Sequence, residues 1–228
     1  MPTTRNDIVT PPRRLSFPED EARLPWLGML LDAYDIIDQG ITLALQREKR
    51  KHNRRPACRE GCGGCCRTHK DIPLYPLEMT GIYWYVIEKR DRAFRQELAE
   101  KLAGHTPSSP CPFLADDACS IYPVRPVACR QFIVFGGPCG EGEDPYHTRR
   151  TDVLTPLPDF RDKAFYIMLP FYGITKETEK EAAIRNNIIH ARVRNLKTTD
   201  WNPLAQRIAE SLGEPEKTDG SENSREAQ

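Results

Sequence analysis

Eight cysteines constrain this chain more than any other feature. They form two groups: Cys58-x3-Cys62-x2-Cys65-Cys66, and then Cys111, Cys119, Cys129 and Cys139, separated by seven, nine and nine residues. The four thiols between Cys58 and Cys66 would repel one another as thiolates unless a cation stood among them. Gly61, Gly63 and Gly64 suit a loop wrapped round a metal, which needs positive φ angles and backbone N–H groups turned towards sulfur. Compartment decides between metal and disulfide. The segment Met1 to Asp20 carries Arg5, Arg13 and Arg14 without an apolar h-region, and no later stretch approaches the roughly 18 apolar residues of a membrane span. The expectation is a cytoplasmic chain with no membrane partner, in which an even cysteine count reads as metal binding or catalysis.

Which metal is less sharply written. Zinc prefers four tetrahedral ligands from short Cys-x2-4-Cys pairs; the first group contains such pairs, but the second is too widely spaced to form another knuckle. If Cys65 and Cys66 lie on an extended chain they point to opposite sides, which favours two metals or a multinuclear cluster with a neighbour. Iron–sulfur clusters accept all-thiolate ligation at irregular spacing, so a cluster, with 4Fe-4S as its candidate form, leads and zinc is the alternative. Cys58-x3-Cys62-x2-Cys65 also has the radical S-adenosylmethionine spacing, but Gly64 stands where those enzymes carry an aromatic residue, and no βα repeat follows. Among five histidines, His69 is close enough to Cys66 to replace a thiol ligand, and His147 follows the loop after Cys139; His52, His105 and His190 read as solvated.

The remaining sequence predicts a single, mainly helical domain with a small irregular β-hairpin, stabilised by the metal. Lys plus Arg number 33 against 33 Asp plus Glu, which removes a globally basic nucleic-acid binder. Twenty prolines and 14 glycines exceed what a compact bundle carries, so something besides the core must fix the loops. Residues 1–24 read as an extended arm, 25–212 as the domain with its motif core at 58–139, and 213–228 as a disordered tail. Leu27, Leu30, Leu31, Tyr34, Ile37, Ile41 and Leu45 stripe a long helix from Pro25 to the stop at Pro56. The basic run Arg47 to Arg55 at its end favours the helix dipole, and without interleaved aromatics it does not point to nucleic acid. Further helices are expected from Pro76, through Phe94, Leu98 and Leu102, and near 159–168, 177–196 and 201–212, with a helical turn from Pro126 to Phe132. Two short strands should meet at a turn of Asp116 and Asp117. Aromatics around the cysteines, from Tyr83 to Phe135, read mainly as a shield against water.

The ordered set of Cys-x3-Cys-x2-Cys-Cys, Cys111-Pro-Phe-Leu and Cys119-Ser-Ile-Tyr-Pro-Val-Arg-Pro-Val-Ala-Cys129-Arg resembles the YkgJ-like cysteine-cluster family, described as zinc- or iron-chelating and often labelled iron–sulfur proteins. The resemblance covers about residues 58 to 139; the flanks, including Gly142 to Arg150, look like those of a longer subgroup, and the resemblance assigns them no separate activity. It implies that Cys58, Cys62, Cys65, Cys66, Cys111, Cys119 and Cys129 are ligands, with Cys139 at the margin of the pattern. Arg125 and Arg130 would offset thiolate charge and donate to sulfur, or else lock the turn through carbonyls. Pro123 and Pro126 would fix the backbone that presents Cys129. The cluster is also similar to that of flagellin lysine N-methylases, the one enzymatic lead. The functional expectation is electron transfer or redox sensing with a protein or redox partner; the alternatives are a structural zinc module and an enzyme similar to those methylases.

Overall fold

The computed structural model describes residues 10–59 and 61–213. It is a single, mainly helical domain, as the periodicity predicts, and its described residues form two antiparallel strand pairs, the expected hairpin and a second pair. Among the described residues ten α-helices follow in order: α1 Pro18–Arg23, α2 Pro25–His52, α3 Gly64–Thr68, α4 Pro76–Lys89, α5 Arg92–Ala103, α6 Val127–Gln131, α7 Pro145–Thr148, α8 Pro158–Met168, α9 Glu177–Arg185 and α10 Asn202–Gly213. The strands are two residues each: β1 Pro73–Leu74, β2 Leu114–Ala115, β3 Ala118–Cys119 and β4 Arg194–Asn195. No helix among the described residues is long and apolar enough to cross a membrane.

The stripe read from the sequence becomes the spine of α2, with Leu27, Leu30, Leu31, Tyr34 and Ile37 buried against one continuous core. Farther along, Ile41 and Leu45 join a smaller cluster with Ala44, Phe135 and Leu154, so the end of α2 supports the loops after the second cysteine group. The helix stops before Pro56. Asn53 takes a left-handed conformation (φ 50°) and donates its N–H back to Lys49 O at 3.1 Å, closing the last turn. Helix α8 packs along α2, while α10 packs on α5 and α4. Phe113, beside β2, stands edge-on to Trp201 at 4.9 Å between centroids, tying the hairpin to the base of α10.

Three expectations change. The proposed arm of residues 1–24 includes helix α1, whose Glu21 receives the Phe17 N–H and the Arg14 guanidinium; residues 1–9 lie outside the described set. The helix drawn over 177–196 ends at Arg185, because Asn187 is left-handed (φ 52°), and β4 then pairs with β1. Gly213, expected as the first residue of a tail, closes α10, and residues 214–228 lie outside the described set.

Gly40 marks where α2 meets α8. A methyl group there would lie 2.6 Å from Phe160 Cβ and 2.8 Å from its Cγ. Alanine would favour the isolated helix by about 1 kcal/mol, but overpacking costs typically about 1–3 kcal/mol. Gly40→Ala is therefore expected to lower stability by about 1 kcal/mol in chemical denaturation; a gain would show that the helices part freely at this crossing.

Candidate metal centre

The first cysteine segment leaves α2 and is stitched to the chain after α6. Pro56 bridges Phe135, the Ala57 N–H donates to Val134 O at 2.7 Å, and the Val134 N–H donates to Cys58 Sγ at 3.3 Å. The loop then turns through Gly61 (φ 72°) and Gly63 (φ 53°), as a metal-wrapping loop requires, whereas Gly64 begins helix α3. At Gly63 the backbone meets the hairpin turn: a methyl group would lie 2.9 Å from Asp117 O. This close approach brings the two cysteine groups together.

Cys65 and Cys66 are not extended. They occupy successive positions of α3, about 100° apart round the helix axis rather than on opposite faces, because Gly63 in the left-handed region starts a helical turn. The Cys66 carbonyl accepts the Cys111 N–H at 2.7 Å, a direct backbone link between the groups. Cys111 and Cys119 flank the expected hairpin, whose Asp116 and Asp117 both have positive φ (45° and 61°), the requirement of a tight two-residue turn. Cys129 sits in α6 after the turn Tyr122–Val124 and the cap Pro126. Cys139 returns to the first group: a methyl group on Gly64 would be 3.5 Å from Cys139 Cβ and 3.8 Å from Cys62 Sγ.

All cysteines except Cys139 line one cavity of about 1010 Å³, and all eight are free thiols. Burial raises the Cys58, Cys119, Cys129 and Cys139 thiols above their usual range. Cys66 is pushed up to about 12, first by its bond to Cys111 and further by burial, and Cys65 is raised by its bond to Cys66 and by burial. For these six thiols the neutral form is favoured, and a bound cation is what would make several thiolates tolerable together. Among the described residues no three His, Cys, Asp or Glu side chains already close round a single point; the thiols surround a space. A soft all-thiol donor set round a cavity fits a zinc or iron centre.

Arg125 and Arg130 occupy different roles. Arg125 stacks over Tyr122 at 3.6 Å on the cavity wall. Arg130 is the turn lock: Nε donates to Arg125 O at 3.0 Å, Nη2 to Pro123 O at 2.5 Å and Nη1 to Asp38 at 2.7 Å. Their positive charges favour the Cys119 thiolate, although neither is hydrogen-bonded to sulfur. Tyr122 is 60% exposed at the cavity mouth, so it does not shield the site as expected. His69 lines the cavity, buried, with Nε2 3.3 Å from Asp144 Oδ1 but not hydrogen-bonded, and His147 lines it too. His105 and His190 are not simply solvated: they bond to Lys197 O at 2.8 Å and to Tyr75 Oη at 2.7 Å.

Sequence reasoning missed Arg149 and Glu78. Arg149 donates to Phe135 O, Gly137 O and Pro138 O at 2.9–3.1 Å and to Glu143, pinning the loop that carries Cys139. Its side chain lies beyond every cysteine, and only the unexplained flank Gly142 to Arg150 hinted at it. Residues 57–152 match the family CxxCxxCC, described as "Putative zinc- or iron-chelating domain". That segment is similar to this cysteine-cluster family. The match ends at Asp152 and so takes in Arg149, while the first cysteine gap here is one residue longer than the family's name spells. No curated protein and no solved structure matches the chain. The match supports metal binding by this segment, zinc and iron being the metals that the family's description names.

Proposed function

We propose that the cysteine-cluster domain holds an iron–sulfur cluster and uses it for electron transfer or redox sensing. The observation that carries this reading is the ring of thiols round a cavity of about 1010 Å³, more donors and more room than one tetrahedral zinc takes. The eight cysteines are the ligand set, and the cluster would supply one-electron chemistry. The chain's own residues do the rest. Arg125, Arg130 and Arg149 offset thiolate charge, and Phe113, Ile121 and Phe132 line the wall and exclude water.

The structural zinc alternative draws on one feature: the free thiols of Cys65, Cys66 and Cys111 neighbour one another in turn, a compact grouping that suits a single ion. An enzyme similar to the lysine N-methylases finds less support, since strands of two residues offer no strand–loop–helix platform for a methyl donor. The deciding experiment is purification without oxygen, with the visible spectrum and analysis of iron, zinc and acid-labile sulfide. Brown protein with iron and sulfide is expected, and Cys62→Ser should lose metal and melt lower. Colourless protein with stoichiometric zinc would overturn the cluster, and a Cys62→Ser variant with full metal and unchanged melting would remove Cys62 from the ligands.

A further inference from the structure

The eight thiols are not equivalent. Cys111 belongs to the main hydrophobic core, and Cys66, Cys119 and Cys129 pack against it. Cys58, Cys62, Cys65 and Cys139 lie outside that core: the Cys58 thiol accepts the Val134 N–H of a neighbouring loop, and Cys65 stands in the first turn of α3. The division runs between the adjacent residues Cys65 and Cys66, and each side recruits one ligand from the distant group.

We infer that the domain carries two all-cysteine metal centres, an outer one on Cys58, Cys62, Cys65 and Cys139 and an inner one on Cys66, Cys111, Cys119 and Cys129. The inference rests on the metal-binding reading but not on the identity of the metal. Contacts mark out the outer set: Cys62 Sγ and Cys139 Sγ both lie within 4 Å of a methyl group placed on Gly64, and the Cys58 thiol feels Cys62 and Cys65, the last being the thiol at the boundary that also reaches Cys66, Cys119 and Cys129. The Cys66–Cys111 thiol contact and the bond from Cys111 N–H to Cys66 O mark out the inner set. Cations stand on both sides: Arg149 beside Cys58 and Cys139, and Arg125 with Arg130 beside Cys119. Cys65 touches Cys66, so the centres are neighbours across one turn of α3. A run of cysteines that gives its last thiol to a second centre is established chemistry in two-cluster ferredoxins.

The test is metal stoichiometry in the whole chain, loaded without oxygen with iron and sulfide or with zinc alone. The double variant Cys58→Ala with Cys139→Ala is expected to hold half the metal of the wild type, a twofold drop. Loss of all metal from a folded double variant, or no loss, overturns the partition. If that variant does not fold, native mass spectrometry of the partly loaded wild type decides. A half-loaded species is expected, and a population of only empty and fully loaded chains overturns the inference. Failure of the iron–sulfur reading is distinguishable: two equal portions of zinc would remove the cluster and keep both centres, while one iron–sulfur centre lost entirely on outer substitution would do the reverse.

Discussion

Arg130→Met is expected to destabilise the folded chain by about 3–5 kcal/mol, the cost of breaking a buried ion pair from one side. The guanidinium is 5% exposed and lies 4.0 Å over the Tyr34 ring of α2. It satisfies the carbonyls of Pro123 and Arg125 and pairs with Asp38, another α2 residue. Methionine fills the volume but leaves a largely buried carboxylate and two carbonyls without their donor. Arg130→Lys should recover less than half the loss, since an ammonium cannot reach three partners lying in a fork. Because this clamp holds the turn before Cys129 on the spine helix, metal content should fall together with stability. Urea denaturation with parallel metal analysis measures both. A loss under about 1 kcal/mol would mean that water replaces the guanidinium at little cost.

That clamp shows where sequence reading stops. The Arg130 alternatives, charge compensation or turn locking, follow from the residue type and its place after Cys129. Choosing between them needs Asp38, 92 residues away, and no local pattern announces that pairing. The long helices were legible because each carries its own periodicity: the stripe of α2 and the four-residue steps of α5 bury the faces they predict. The hairpin was legible because an Asp-Asp pair tolerates positive φ.

What could not be read depends on contacts between segments. β1 and β4 pair over two residues across more than 100 residues of chain, too short to leave an alternation. Helix α3 is hidden because glycines and cysteines have poor helix propensity, and its turn is fixed by Gly63 against the Asp117 backbone. The cysteines themselves announced metal chemistry, but that Cys66, Cys111, Cys119 and Cys129 pack on the core and the others do not appears only once the core exists. The same holds for Arg149, whose acceptors are carbonyls and therefore leave no mark in side-chain composition.

Glu78→Leu is the second large effect, expected to cost about 2–6 kcal/mol by leaving two buried N–H groups unpaired at about 1–3 kcal/mol each. Glu78 is fully buried, and its carboxylate joins two helix starts: Oε2 accepts the Tyr75 N–H at 2.9 Å and Oε1 the Val127 N–H at 2.6 Å. The second bond fixes the first turn of α6 and so the position of Cys129 two residues on. Glu78→Gln keeps one acceptor and turns an amide donor on the other N–H, so about half the loss is expected. Burial, opposed by the two N–H donors and Arg130, raises the folded carboxyl from 4.5 to about 7. The folded state therefore holds a proton that the unfolded chain has released, and this contribution is full below the unfolded value and lost as pH rises through about 7. The penalty of Glu78→Gln, which has no such proton, should accordingly be largest near pH 5 and smaller near pH 8 in paired denaturation curves. A penalty that grows with pH would instead place the folded carboxyl below its ordinary value, with the two N–H donors outweighing burial.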